Sequence, residues 1–428
     1  MISFLTLLLG LAVGVRPIEV QADPAVAAVE FRLDDRLLLV LTAPPWKALV
    51  DFGPPLPHEL VAIARDRDGA EIGRAVQLIN VRRSLAEATL TLLPGAGGRG
   101  RAARLAWASA LSEKPKRVEL TMDGQPLDPG DLSRIALPDF RPADVHILRA
   151  VLVFNEGSQA TAELLCGGVK RETSNGPETM RGETQAELTA IPVVFRGRPP
   201  KESEMDGWFL AKGKPVRVEA VEESPGEIVV VKDENASGWI AELRSSPFVS
   251  QRYTFTLAYG QRLRFCWPGT RKPADTAPGY DVFLRSSDYV GSWDVRKLLV
   301  DVAPPEYSGP PRLGDAVAAA ALSAVAANRP RAVVLVVAGP DDESAWPVEW
   351  TLGYLRALRV PLFVWTKKKQ MAAVWGKADV LSTVGNLSDA VQRVSKAVEW
   401  QRIVWLEGRH LPQTVSLSPK ARRVTLVD

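Results

Sequence analysis

The stretch Glu227-Ile228-Val229-Val230-Val231-Lys232-Asp233-Glu234-Asn235-Ala236-Ser237 decides how this chain is built. Its first half is an apolar run closed by a lysine, the mark of a strand buried on both faces of a sheet. Its second half is acidic and polar, as suits a loop at that strand's carboxyl end. Downstream the pattern recurs. Residues 313–327 are Ala-rich and read as a helix stopped by Asn328-Arg329-Pro330. Residues 332–337 read as a second buried strand, 347–358 as a helix and 360–365 as a third strand. An amphipathic helix follows over 387–400, then a strand over 403–406. Helices alternating with all-apolar strands imply a parallel, doubly wound, Rossmann-like α/β sheet with helices on both faces.

Upstream the character is different. Residues 26–33 and 37–41 read as short strands around Asp34-Asp35, and Pro44-Pro45 breaks the second. Residues 59–65 and 75–81 flank Asp66-Arg67-Asp68-Gly69, a hairpin turn in which Gly supplies positive φ. The pattern repeats at an offset close to 88 residues. Val29-Glu30-Phe31-Arg32-Leu33-Asp34-Asp35 is echoed by Val118-Glu119-Leu120-Thr121-Met122-Asp123-Gly124. His58-Glu59-Leu60-Val61-Ala62-Ile63 is echoed by His146-Ile147-Leu148-Arg149-Ala150-Val151. One β-unit is thus used twice. Its order of strands, DG turns and a Pro-rich edge over about residues 25–168 resembles bacterial immunoglobulin-like modules, which implies two β-sandwiches.

The 428 residues suffice for several domains. A net charge of +3 and the lack of a long basic run argue against a nucleic-acid partner, and Lys367-Lys368-Lys369 reads as a solvated loop. Residues 4–15 are almost wholly apolar but too short to span a bilayer. With Val20-Gln21-Ala22 as a small-residue cleavage pattern, residues 1–22 read as a signal peptide, though no Lys or Arg precedes the apolar run. An uncleaved anchor or a misplaced start is the alternative. No later segment is apolar enough to cross a membrane, so the mature chain is expected to be exported without a span. Cys166 and Cys266 could pair or stay as buried thiols, and neither has metal or redox spacing. The expected domains are therefore immunoglobulin-like modules at 23–92 and 93–170, a connector with an edge strand at 171–215, an α/β domain at 216–407 and a C-terminal strand segment at 408–428.

In an open parallel sheet, ligands bind beyond the carboxyl ends of the strands. Two such ends carry polar clusters, Asp233-Glu234-Asn235-Ala236-Ser237 and Gly339-Pro340-Asp341-Asp342-Glu343-Ser344. A buried strand, D-x-[SN]-x-S, a later strand and an Asp-rich loop resemble, in that order, von Willebrand factor type A domains. The likeness is closest to bacterial proteins that carry such a domain behind immunoglobulin-like modules. Arg312-Leu313-Gly314-Asp315-Ala316-Val317 followed by Arg331-Ala332-Val333-Val334-Leu335-Val336 adds to it, matching that family's "LYDAV … RKAVVLL" stretch. The resemblance implies a metal-ion-dependent adhesion site, in which D-x-S-x-S, a Thr and a later Asp hold Mg²⁺ through oxygens. Asp233, Asn235 and Ser237 fall on D-x-S-x-S. The Thr position falls near Pro311, which offers no side-chain ligand. Ala338-Gly339 stands where the later Asp belongs, and Asp341 lies two residues further on. Mg²⁺ demands near-octahedral oxygen geometry, so the site is expected to be degenerate, holding Mg²⁺ weakly if at all. The plain alternative is that Asp233 caps a strand–loop turn and that Asp341 and Asp342 favour a helix dipole.

The inventory offers little for catalysis. His58 and His146 start repeat-equivalent strands, no G-x-S-x-G elbow occurs, and no zinc spacing involves His410. Gly95-Ala96-Gly97-Gly98-Arg99-Gly100 matches G-x-G-x-x-G but lacks the following helix and acidic residue of a dinucleotide site. Between the two rim motifs the sequence reads as strands over 253–257, 262–267, 282–285 and 295–302. Six tryptophans, at 346, 350, 365, 375, 400 and 405, are expected mostly in the α/β core. No catalytic residue or cofactor is assigned. The expected function is binding of a protein partner, or scaffolding, through Asp233, Asp341, Asp342 and Glu343. The alternatives are an exported hydrolase using those acids and a purely structural envelope component.

Overall fold

A computed structural model of the chain describes residues 2–6, 8, 11–22, 25–81, 86–93, 102–109, 114–122, 125–138, 145–154, 159–167, 188–243, 253–270, 283–286, 288–290, 293–304, 310–325 and 328–427. Two compact units result, one of residues 1–82 with 188–428 and one of residues 83–187.

The larger unit begins with a β-sandwich. Its strands are β1 (Ile2–Phe4), β2 (Val15–Ala22), β3 (Ala28–Leu33), β4 (Arg36–Leu41), β5 (Lys47–Asp51), β6 (His58–Arg65) and β7 (Glu71–Ile79). They form two antiparallel sheets, β1-β2-β5 and β4-β3-β6-β7. Ile2, Ile18, Val20, Ala48 and Val50 from the first pack against Val29, Phe31, Leu60, Ala62 and Ile79 from the second. The β6–β7 hairpin turns where the sequence indicates, with Gly69 at φ 79° and Asp66 accepting the Asp68 and Ala70 N–H groups.

Part of the segment expected as a leader stands in this sandwich. Ile18 and Val20 alternate with more exposed neighbours in β2 and are themselves 1% and 3% exposed. Period-2 burial is what a half-buried strand produces, and β2 pairs along most of its length with β5. Residues 15–22 are therefore sandwich wall.

The smaller unit repeats the design with β8 (Ala86–Leu93), β9 (Ala102–Ser109), β10 (Arg117–Met122), β11 (Gln125–Leu127), β12 (Ile135–Ala136), β13 (Val145–Val153) and β14 (Gln159–Gly167). The sheets are β12-β9-β8 and β11-β10-β13-β14. The order β11-β10-β13-β14 copies β4-β3-β6-β7 strand for strand, so the internal repeat is a repeat of topology. Leu90, Ala103, Leu105 and Ile135 meet Leu120, Leu148, Ala150 and Leu152 across its core. Because β8 pairs with β9 along its whole length, residues 86–93 belong to this second sandwich. The boundary expected after residue 92 falls instead between β7 and β8. The glycine loop at 95–100 lies outside the described residues.

The rest of the larger unit holds two small antiparallel sheets and one mainly parallel sheet. An antiparallel set uses β15 (Leu188–Phe195), β16 (Phe209–Ala211), β17 (Lys214–Val216) and β18 (Val218–Glu222). The parallel domain follows as β19 (Glu227–Lys232), α1 (Ala236–Ala241), β20 (Arg262–Thr270), β21 (Phe283–Arg285), β22 (Tyr289–Val290), α2 (Val295–Asp301), α3 (Leu313–Val325), β23 (Arg331–Val337), α4 (Val348–Ala357), β24 (Leu362–Thr366), β25 (Asp379–Val380) and α5 (Val384–Glu399). The chain ends in β26 (Gln401–Glu407), β27 (Val415–Leu417) and β28 (Val424–Leu426), which return to the antiparallel set as β18-β26-β15-β28 and β17-β16-β27.

Two expectations are corrected here. The strand at 401–407 leaves the parallel sheet and pairs antiparallel with β15. The connector's strand β15 is interior, bonded to β26 on one side and β28 on the other. Only residues 193–195 pair with β28, so Pro192, which has no N–H to give, lies beyond the stretch where both edges are paired.

The parallel sheet runs β21-β20-β19-β23-β24-β25. Leaving aside β22, which pairs antiparallel with β20 off this path, the remaining strands follow the 3-2-1-4-5-6 order of a doubly wound sheet, with β21 antiparallel at one edge. Every residue of β19 and β23 is buried. Val229, Val231, Val333, Leu335 and Val337 face α3 and α4, while Ile228, Val230, Ala332, Val334 and Val336 face α1, α2 and α5. The N-terminal sandwich packs on this domain: Tyr354 of α4 donates its hydroxyl to the buried Asn80 carbonyl at 2.8 Å, and Val81 enters the α3/α4 core. No helix of the described residues is long and apolar enough to cross a membrane.

Candidate functional site

The order of strands reverses between β19 and β23, the place where doubly wound sheets open a crevice. The chain emerges from β19 as Lys232-Asp233 and from β23 as Ala338-Gly339. Side chains alternate across a strand, so Lys232 continues the Ile228–Val230 face toward α1 and α2. It is wholly buried. Its ammonium reaches Ser237 Oγ at 2.8 Å, the Leu299 carbonyl at 2.9 Å and the Val302 carbonyl at 2.6 Å, with the Phe265 ring centroid at 5.8 Å. Leu299 and Val302 lie at the carboxyl end of α2, where carbonyls lack helical partners. Lys232 thus ties α1, α2 and β19 together. Burial disfavours its charged form and lowers its pKa to about 8.

Asp233 stitches the two strand ends. Its N–H donates to Val336 O at 3.0 Å. One carboxylate oxygen accepts the Asn235 N–H and the other the Ala338 N–H, each at 3.1 Å. Asn235 and Glu234 are exposed on the turn beyond, and Asn235 makes no side-chain cap to α1.

The second motif is drawn elsewhere. Asp342 accepts the Leu313 and Gly314 N–H groups at 2.8 and 3.2 Å, capping α3 from a distant loop. Ser344 Oγ accepts the Asp315 N–H, and the buried Asp315 carboxylate accepts the Ala345 N–H while pairing with Arg312. Burial raises the Asp315 pKa against those partners. A Cβ on Gly314 would lie 3.0 Å from Ser344 Oγ, so the loop docks this closely only on a glycine. The Glu343 N–H donates to the Pro311 carbonyl at 2.8 Å. Asp341 and the Glu343 side chain stay exposed.

The rim therefore brings Asp233 to the end of β23 but sends Ser237 to an ammonium and Asp342 to a helix terminus. A divalent ion does not fit this set. A buried positive charge 2.8 Å from Ser237 Oγ repels a cation, and the Asp233 and Asp342 oxygens already hold backbone N–H groups. Among the described residues no cluster of three His, Cys, Asp or Glu side chains is close enough to hold a metal. Sequence reasoning passed over Lys232 and Asp315. A lysine closing an otherwise apolar run just before the rim aspartate was the available sign for the first.

No family model matches this chain. No curated protein matches it either. Solved structures match locally. Fibronectin(III)-like modules of Clostridium thermocellum CbhA share 21% identity, covering 18% of this chain and 93% of that one, with a TM-score of 0.17. The central fibronectin-III array of RIM-binding protein shares 12% over 49% of this chain and 78% of that one, with a TM-score of 0.24. The Bacteroides ovatus mixed-linkage glucan utilization protein SGBP-B shares 11% over 50% of this chain and 57% of that one, with a TM-score of 0.15. At these scores the sandwich architecture rests on the strand pairing alone.

Other expected features fall in varied places. Trp365 and Trp375 are core, whereas Trp400 is 63% and Trp350 37% exposed. His58 sits between Asp34 Oδ2 at 2.6 Å and the Phe52 carbonyl at 3.1 Å, a structural bridge. His410 bonds the Glu407 carbonyl. Cys266 is buried in β20; the side chains of Cys166 and His146 lie outside those described. At the carboxyl end of β25 a cleft of about 200 Å³ is lined by Asp379, Asn386, Asp389 and Arg393, with Arg393 and Asp379 paired at 3.0 Å.

Proposed function

We propose that the chain is an exported, non-enzymatic binding or scaffold protein built on a von Willebrand factor type A-like domain with a degenerate metal site. The doubly wound strand order and the D-x-N-x-S match support the family reading. One observation carries the metal-independent part: the Asp233 carboxylate is bonded to the N–H groups of Asn235 and Ala338, while Ser237 is bonded to Lys232. Loops fixed by internal bonds present Glu234, Asn235, Asp341 and Glu343 without needing an ion, a preorganised rim for a protein partner with complementary basic groups.

The test is thermal melting with and without Mg²⁺ in wild type and Asp233→Ala. The expected outcome is a wild-type midpoint indifferent to millimolar Mg²⁺. The substitution is expected to cost roughly 1–3 kcal/mol, because two part-buried N–H groups lose their acceptor, and the loss is the same in either buffer. A wild-type midpoint that climbs with Mg²⁺, and stops climbing in Asp233→Ala, contradicts the proposal.

A further inference from the structure

We infer that residues 367–377, the turn at the carboxyl end of β24, form a docking surface for an anionic lipid bilayer. Lysines meet the headgroup phosphates and Val374 enters the interface. This goes beyond the binding role proposed above and does not depend on it. It uses a different part of the rim, two strands along from Asp233.

The turn is held from inside. Thr366, buried at the end of β24, donates its hydroxyl to the Lys368 carbonyl at 3.1 Å and accepts the Lys368 N–H at 3.4 Å. A tight helical stretch, Lys369–Trp375, follows, with the Met371 N–H on the same carbonyl at 3.0 Å. It drops Ala372 and Trp375 into the core that holds Tyr354 and Leu355, and Met371 packs on that cluster. Gly376, at φ 81°, ends it in the left-handed region. A surface fixed in this way loses little freedom on binding.

What remains outside is basic around an apolar tip. Lys367, Lys368, Lys369 and Lys377 are all exposed, as are Gln370 and Ala373. Val374 is 62% exposed, and Val380 just beyond is 42% exposed. Lys367 meets Glu242 at 3.1 Å. Among the described residues the other three ammoniums have no acidic partner within ion-pair reach, and Asp379, two residues past Lys377, is held by Arg393. Like charges gathered on one short turn repel each other, and an extended anionic surface neutralises them together. The exposed valine in their midst decides which surface. At a bilayer it leaves water for the boundary between headgroups and acyl chains. A single-stranded nucleic acid would instead call for exposed rings on which bases stack, and the turn's one aromatic side chain, Trp375, is core.

The experiment sediments the full chain with vesicles of phosphatidylcholine alone and of phosphatidylcholine mixed with phosphatidylglycerol. Binding is expected to the mixed vesicles only. It is expected to fall as salt rises past about 0.1 M, where the screening length is ~10 Å. Lys368→Glu combined with Lys369→Glu is expected to weaken it on the order of tenfold or more. The same charge change at the exposed Lys201 and Lys214 is expected to have much the smaller effect. Val374→Ser, which leaves the charge alone, is expected to weaken it several-fold. All these side chains are exposed, so each variant should keep the wild-type melting point. No sedimentation with the mixed vesicles at low salt overturns the inference. So does equal loss from the two lysine pairs, binding indifferent to Val374→Ser, or capture of a single-stranded oligonucleotide in place of the vesicles.

Discussion

Arg331 opens β23 with its side chain wholly buried beside Tyr354's helix. One guanidinium nitrogen reaches the Leu358 carbonyl at 3.2 Å, while Nε and Nη1 have no hydrogen-bond partner among the described residues. Burial pulls its pKa down to about 10. A buried charge without a counter-charge costs more than its bond to one carbonyl returns. Arg331→Met, which keeps the length and drops the charge, should therefore raise stability by about 1 kcal/mol in urea unfolding; a clear loss would mean the guanidinium holds a contact essential to the fold. At this scale the sequence was only partly legible. Asp233 as a strand-end cap could be read locally. Asp342 as the cap of α3 could not, because capper and helix are separated by a strand and its loops. Lys232 reads as a solvated charge until three elements close around it.

The runs that became β19, β23 and α3 were plain because burial on both faces, or alanine-rich composition, leaves no competing pattern. Residues 295–302 were read as a strand for their valines and leucines, yet 295–301 form α2. Asp294 decides it by accepting the Lys297 N–H at 3.0 Å, and Val295, Leu298 and Leu299 then fall on one buried stripe. Helix α5 likewise begins at Val384, ahead of its apolar repeat, because Thr383 and Asn386 form a capping box. Asp294→Ala should cost about 1 kcal/mol and speed amide exchange along α2 more than along α5. Equal exchange in the two helices would show that α2 is held by Lys232 and packing alone. Runs of apolar residues also do not reveal strand direction, which is why the strand expected over 403–406 was placed in the wrong sheet.

For the whole molecule, the 88-residue repeat was legible in the sequence, but its starting point was not. Counting the copies from Val29 and Val118 hid the first two strands of each. An apolar N-terminal run resembles a leader whether it is destined for cleavage or for a core. The structure pairs β1 and β2 with β5 as one wall of the first sandwich, and that sandwich braces the α/β domain through Asn80 and Tyr354. Melting of the full chain against a chain that starts at Asp23 tests this most directly. Losing Ile2, Ile18 and Val20 from the core leaves β5 unpaired and Val29 and Phe31 uncovered. The shortened chain should melt at least roughly 5 °C lower, with a broadened transition and dye-binding apolar surface. Identical, equally sharp melting of the two chains would contradict the placement of β1 and β2 inside the fold.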